Sequence, residues 1–448
     1  MSQTLSIGVR NSVTASHHDH VAGTRPLPPR ALLRSTLLIG ICFAVSHGFC
    51  VASPWPSWRG PSGNGISSEK HTVEKWSATE NVLWRVALPE PGNSSPVVWG
   101  RHVFVTQAIE KEHRRSLLCF DRRNGHRLWQ SGITYSDKDT THESNPHCSS
   151  SAVTDGTRVM AWFGSGGLHC YDVRGKEIWS HDFGKQTHPF GYGASPILYG
   201  DLCVLNFGPG DPSSLIAVDI ATGKTRWQIQ QPLYTLPYDG STGSFSTPII
   251  THNRDHDELI VPWPTRLFAV QPTTGQELWS CSGLDPQILA SPMVGDGVAV
   301  SMGGFRGRSI ATRLGGQGDI TATHKLWENK TTLITTGIIH DQHLYVVRMS
   351  GTAMCLDLRT GEKVWEERLR GTSAKNDAWA SLVMIGDKLL VPNQSGDTCV
   401  FRASPKFELL WVNSVGGEEC NASLAISDGQ IFQRTHQTLW CFDSRRSR

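Results

Sequence analysis

Short apolar runs separated by Gly-, Asp- or Asn-containing turns recur along the chain from Val82 to Asp443. Each unit starts with a small hydroxyl residue and a short apolar strand, as in SSPVVWG from Ser94. Such starts stand at Ser95-Pro96, Ser151-Ala152, Ser195-Pro196, Thr247-Pro248, Ser291-Pro292, Thr336-Gly337, Ser381-Leu382 and Ser423-Leu424. A turn follows, for example Asp155-Gly156, Gly200-Asp201, Asp296-Gly297, Gly386-Asp387 or Asp428-Gly429, which is a strong hairpin signal. A second and a third strand come next, and the third leads into a hairpin that ends on Trp. In LDLRTGEKVW (Leu356 to Trp365) an Asp closes one strand, Thr-Gly makes the turn and Trp ends the next. Asp supplies local side-chain-to-backbone hydrogen bonds and Gly a positive φ at little cost.

The hairpin is rewritten as FDRRNGHRLW to Trp129, YDVRGKEIW to Trp179, VDIATGKTRW to Trp227 and VQPTTGQELW to Trp279. Gly stands four residues before Trp at Gly125, Gly175, Gly223, Gly275 and Gly361, and degenerate copies keep only Trp84, Trp327 and Trp411. Four short strands repeating at about 45 residues are the signature of a β-propeller, one unit per blade. The last unit stops after LWCFD (Leu439 to Asp443), while VLWRVAL (Val82 to Leu88) has no three strands before it. Placing Val82–Leu88 as the outer strand of the final blade closes the ring and removes an open sheet edge. The expected fold is therefore all-β, an eight-bladed propeller over 82–443. Its eight Trp wedge between neighbouring blades and do not serve a cofactor. A ring closed in this way is expected to be a monomer.

Before the repeats, residues 53–81 form a leader rich in Trp, Pro and Gly (WPSWRGPSGNGISSE). A flexible linker would hardly spend Trp55, Trp58 and Trp76, so it is expected to lie as an ordered strap on the propeller. Residues 1–52 read as an export segment. Arg25, Arg30 and Arg34 precede the apolar run Leu37 to Val45, and Val51-Ala52 offers a small-residue cleavage site. That run is too short to span a bilayer comfortably. Export to the periplasm or the exterior is expected, with membrane contact only if the segment stays uncleaved. Residues 444–448 are a tail.

Lys and Arg total 42 against 40 Asp and Glu, and without residues 1–52 the balance is 38 against 39. A near-neutral surface offers no footprint for nucleic acid or an anionic membrane. Eleven Cys fall to nine on cleavage. Cys119, Cys170, Cys355 and Cys441 occupy one repeated place, a full blade apart and beyond disulfide reach, and read as small buried hydrophobes. No CxxC pair marks a zinc site.

The crossing from each Trp strand to the next blade passes over one mouth of the central channel, so residues just before each Ser/Thr start should converge there. These segments supply His142, Glu143, Asn145 and His147, then His188 and Tyr192, then Asp239. They continue with Asp377 and Trp379, then Glu418 and Glu419. Imidazoles, carboxylates and an amide at one mouth are the candidate ligand site. They could equally be a solvated loop face. His142, Glu143 and His147 could hold a divalent metal, but their spacing fits no regular motif and no metal is assigned.

The D-x-x-T-G-x-x-x-W hairpin with Ser-Pro starts resembles the PQQ-like (pyrroloquinoline-quinone-type) propeller repeat. WPSWRGPSGNGIS (Trp55 to Ser67), NPHCSSSAVTDGTRVMAWFGSGGLHCYD (Asn145 to Asp172) and ATRLGGQGDITATHKLW (Ala311 to Trp327) look like exported PQQ-like repeat proteins of planctomycetes. The wider superfamily implies two roles, quinoprotein alcohol dehydrogenase and propeller subunit of outer-membrane barrel assembly. The dehydrogenases cap PQQ with adjacent cysteines, rest it on a Trp floor and ligate Ca²⁺. This chain has no Cys-Cys pair, and Trp379 is the least poor candidate for a floor. No family ligand transfers and no catalytic residue is assigned; no cofactor is assigned, with PQQ and Ca²⁺ kept as the possible one although the family's key features are absent. The reading reached from sequence is a rigid platform for a protein or a small ligand, without assigned enzyme activity. A PQQ-dependent oxidoreductase acting on alcohols or sugars and a barrel-assembly factor are the alternatives.

Overall fold

The computed structural model describes residues 53–232, 242–254, 256–305 and 307–446. Eight antiparallel four-stranded sheets form an eight-bladed propeller, with blade 1 starting at Val97 and a short parallel strand added to the edge of blades 4 and 7. In blade 3 the strands are Ile197–Tyr199, Leu202–Phe207, Ser214–Asp219 and Thr225–Gln230, running from the channel outwards. Blade 8 is sewn as expected. Ala425–Ser427, Gln430–Arg434 and Thr438–Phe442 pair in turn, and Val82–Ala87 lies antiparallel on the last of them, Val86 opposite Leu439. The second and third strands are buried along nearly their whole length, because neighbouring blades cover both faces. The core is accordingly divided into clusters rather than gathered into one.

The repeated Trp has one geometric job. Six indoles donate to a main-chain oxygen of the following blade: Trp84 to Arg122, Trp129 to Val173, Trp179 to Ile220, Trp227 to Pro272, Trp327 to Leu358 and Trp365 to Ser404, at 2.7–3.0 Å. Each ring of five pairs lies on the hairpin glycine of that next blade. A Cβ built on Gly223 would come within 2.6 Å of Trp179, and Gly125, Gly175, Gly275 and Gly361 stand in the same way to Trp84, Trp129, Trp227 and Trp327. The glycine thus provides both a positive φ and a flat seat for the indole. Across the strand pair each Trp faces a small or modest residue at a β-bulge. These are Cys119, Cys170, Ala217, Ala269, Ala311, Cys355, Val400 and Cys441. Cys is there for its size, since all nine described cysteines are free and buried.

Two Trp depart from the pattern, each for a local reason. After Trp279, the stretch around Gly318–Asp319 adds a parallel strand to the edge of blade 4 and covers the indole, which donates instead to buried Glu258 at 3.0 Å. A four-residue helix, Thr321–His324, follows that strand. Trp411 reaches the leader, donating to Glu74 O at 2.8 Å.

Residues from Ser53 onward cross one face of the ring. Trp55 bridges Val98 of blade 1, and Pro56 O accepts from Thr154 of blade 2. Ile66–Ser67 then pairs in parallel with Met384–Ile385 of blade 7. Glu69 accepts the Gly429 N–H of blade 8 at 2.6 Å, and Trp76 packs on Phe442.

Candidate functional site

The Ser/Thr starts build the channel wall. Ser95 N–H donates to Ser151 Oγ, Ser151 to Ser195, Ser195 to Thr247 and Thr247 to Ser291. Ser291 continues to Thr336, Thr336 to Ser381, Ser381 to Ser423, and Ser423 back to Ser95 Oγ, all at 2.8–3.0 Å. The result is a closed ring of eight hydroxyl-to-amide bonds. It explains why the position must be small, must carry an oxygen and must recur once per blade. The same eight residues line a central cavity of about 190 Å³.

On the leader side this cavity meets Trp58, and the neighbouring Arg59 is fixed just beneath the ring. Arg59 is 3 % exposed and donates to the carbonyls of Thr336, Gly337, Leu382 and Asn64 at 2.6–3.3 Å. Burial brings its guanidinium down to about 9, so it stays charged at neutral pH. Since Pro56 is held on blade 2 and Arg59 on blades 6 and 7, the chain between them passes across the channel.

The opposite rim comes from residues two before each start, and its two halves differ. Phe245, Leu289, Ile334 and Trp379 form an apolar arc; Asn421, Asn93 and Ser149 form a polar one, with Asn145 beside it. Asn93 Oδ1 lies 3.4 Å from Asn421 Nδ2 and 3.2 Å from His436 Nε2, and Gln394 donates to Asn421 at 3.2 Å. Burial lowers the His436 pKa and Glu419 opposes it, while Arg434 and Lys375 add to the lowering. His436 is therefore neutral near pH 7, able to donate or accept at the rim.

Of the residues expected at this mouth, Asn145 and Trp379 line the cavity. Asn145 also donates to the Phe190 and Tyr192 carbonyls, locking two crossovers together. Glu418 is spent inside blade 8, accepting from Thr435, Thr438 and Trp440. Glu419 pairs with Lys375 at 3.2 Å beside the rim. Asp377 is exposed, 3.8 Å from Arg368. Tyr192 is buried on Trp162 and accepts the Cys148 N–H, and His188 is buried edge-on to Phe245. His142 bonds Ser144 and His147 turns to Glu110, so these two do not converge; Glu143 is exposed. Asp239 lies outside the described residues. Among the described residues no three His, Cys, Asp or Glu gather as a metal site. Asn93, His436 and Trp58 were missed. They lie in a loop without polar clustering, at the end of a strand and in the leader, and only the folded ring brings them together.

A larger groove of about 350 Å³ lies on the leader side, between Pro56, Pro61 and the inner strands at Ile197 and Ile249. It has no titratable side chain besides Tyr199 in its wall. The channel mouth is the better site chemically.

The fold and channel define a closed eight-bladed propeller of PQQ-like repeats. The family model described as outer membrane protein assembly factor BamB matches residues 65–187 and 113–367, and the chain belongs to that family of PQQ-type repeat proteins. Among solved structures it is similar to BamB from Moraxella catarrhalis (14 % identity, 81 % of this chain and 96 % of that one, TM-score 0.57). It is also similar to a europium-containing methanol dehydrogenase (12 %, 87 % and 98 %, TM-score 0.64). A third is the quinohemoprotein alcohol dehydrogenase from Comamonas testosteroni (11 %, 87 % and 80 %, TM-score 0.60). At these identities the likeness is one of fold. No curated protein matches the sequence. Among the described residues no helix is long and apolar enough to cross a membrane.

Proposed function

We propose that the chain is an exported, rigid binding platform whose ligand sits at the channel mouth opposite the leader. The observation that carries this reading is the cup itself: a wall fixed by eight hydroxyl-to-amide bonds, a floor at Trp58, and one rim split between an apolar arc and amides. Convergent amides beside aromatic side chains in a preformed concavity are what small-ligand and peptide-end recognition requires. A rim whose crossovers are tied down by bonds such as those of Asn145 and Asn421 loses little entropy on binding. Export is part of the proposal and rests on the order of charge, apolar run and cleavage site within residues 1–52.

The residues at the rim do not fit the quinone cofactor with Ca²⁺. Ca²⁺ takes six to eight oxygens including carboxylates. Here Glu418 is engaged by three donors of its own blade, Glu419 by Lys375, and among the described residues no Cys pair lies over the mouth. No step through that cofactor is derived.

The test is a panel of short peptides, sugars and organic acids, titrated against tryptophan emission of the wild type, Trp379→Ala and the rim-distant Leu128→Ala. Hits lost in Trp379→Ala and kept in Leu128→Ala support the platform. Hits indifferent to Trp379→Ala refute the site. Addition of PQQ and Ca²⁺ followed by alcohol-dependent dye reduction would replace the platform with an oxidoreductase.

A further inference from the structure

The eight ring hydroxyls use their oxygens but not their protons. Each accepts a main-chain N–H from the preceding blade, and among the described residues none donates to a protein acceptor, though each is at least nine-tenths buried. The part-exposed Trp58 at the floor makes no indole N–H bond to protein among the described residues, and Nε of the neighbouring buried Arg59 has no partner either. A cavity wall so rich in spare donors calls for an acceptor-rich occupant.

Charge gives the sign. Arg59 lies against the ring carbonyls of Thr336 and Leu382 on one side. Arg434, fully buried, donates to Ser94, Thr106 O and Gln107 on the other, next to ring residue Ser95. Neither guanidinium has a carboxylate within ion-pair distance among the described residues, and no Asp or Glu lines the cavity. Two buried, unneutralised positive charges repel a cation and leave water an incomplete answer. The cavity is several times the ~30 Å³ share of one water, which admits an oxyanion with part of its hydration.

We propose that the hydroxyl ring and the Trp58 floor form an oxyanion site, which takes a carboxylate, sulfate or phosphate group through ring O–H and Trp58 N–H donors. This deepens the platform reading, on which it rests for the open mouth. It names the anchored end of the ligand, with an apolar body placed against Trp379 and Phe245 when the oxyanion belongs to a larger molecule.

The experiment titrates the full chain with inorganic phosphate, sulfate, acetate and 3-phenylpropionate at constant ionic strength, by calorimetry and tryptophan emission. The expected result is saturable one-site binding in which the anions compete with one another and Ca²⁺ does not. Trp58→Phe keeps the packing and removes one donor; Ser381→Ala removes a ring hydroxyl. Each is expected to weaken phosphate about tenfold, the scale of one hydrogen bond to a charged group. Leu128→Ala, far from the rim, should leave phosphate unchanged. If the source is an organic acid, 3-phenylpropionate binds more tightly than acetate and Trp379→Ala erases that gap; if it is a free ion, the two acids bind alike. Absence of saturable binding of all four anions overturns the proposal, as does phosphate binding unchanged in both Trp58→Phe and Ser381→Ala. Should Ser381→Ala not fold, Trp58→Phe and the wild-type competition decide. Failure of the peptide and sugar panel with anion binding intact would fault only the mouth reading.

Discussion

Replacing Gly223 by Ala tests the inter-blade wedge at a single atom. Gly223 has φ +71°, and the added Cβ would lie 2.6 Å from Trp179 Cδ2 and Cε3. A left-handed conformation costs an L-residue about 1–2 kcal/mol. Overpacking against a ring that cannot withdraw costs a further ~1–3 kcal/mol. The indole cannot withdraw easily because its N–H is tied to Ile220 O at 2.8 Å. Gly200 of the same blade provides the control: its φ is +57°, and a Cβ there meets nothing within 4 Å. Gly200→Ala should therefore lose only the backbone part, ~1–2 kcal/mol, and Gly223→Ala about 2–5 kcal/mol. Urea unfolding of both variants, followed by circular dichroism and tryptophan emission, reads the difference. Trp179→Ala should relieve the clash, so the double variant with Gly223→Ala should be more stable than the sum of single losses predicts, by ~0.5–3 kcal/mol. Equal losses for Gly223→Ala and Gly200→Ala, or strict additivity with Trp179→Ala, would refute the wedge.

Other consequences follow from the same contacts. Arg122 donates across the seam from blade 1 to Gln430 and Ser427 of blade 8. Arg122→Ala leaves those buried acceptors unpaired and should cost ~2–4 kcal/mol, with faster amide exchange concentrated in 425–442 as the check. His436 has its folded pKa below the unfolded one, so its contribution to stability is complete above ~6.5 and is lost as pH falls below that value. His436→Gln should flatten the midpoint-versus-pH curve in this window, and an unchanged curve would contradict the assignment. Thiol titration should find the nine described cysteines silent in the native chain and reactive after denaturation, because burial raises Cys148, Cys170 and Cys355 to about 12.

The blade plan was legible because its signals are local. Asp, the turn Gly and Trp lie within ten residues, and the copies ending at Trp129, Trp179, Trp227 and Trp365 restate all three. Closure by Val82–Leu88 was legible because two incomplete units can only complete each other. The ring hydroxyls were visible as a recurrent residue, but not as acceptors. Their donors lie about one blade away in sequence, and a Ser in a strand can serve many partners. The mouth was legible as a location and less so in its membership. Glu418 looked free because Thr435, Thr438 and Trp440, which occupy it, lie on later strands of the same blade. Trp58 and Arg59 were read as strap residues, since nothing in WPSWRG says that the strap crosses the channel.

The most direct measurement is site-resolved hydrogen exchange of the eight start amides in the native chain. A ring closed by the N-terminal strand predicts that Ser423 and Ser95, on either side of the seam, are protected as strongly as Ser195 and Thr247. Fast exchange at Ser423, whose N–H should rest on Ser95 Oγ, beside slow exchange at the other seven would show the ring to be open there.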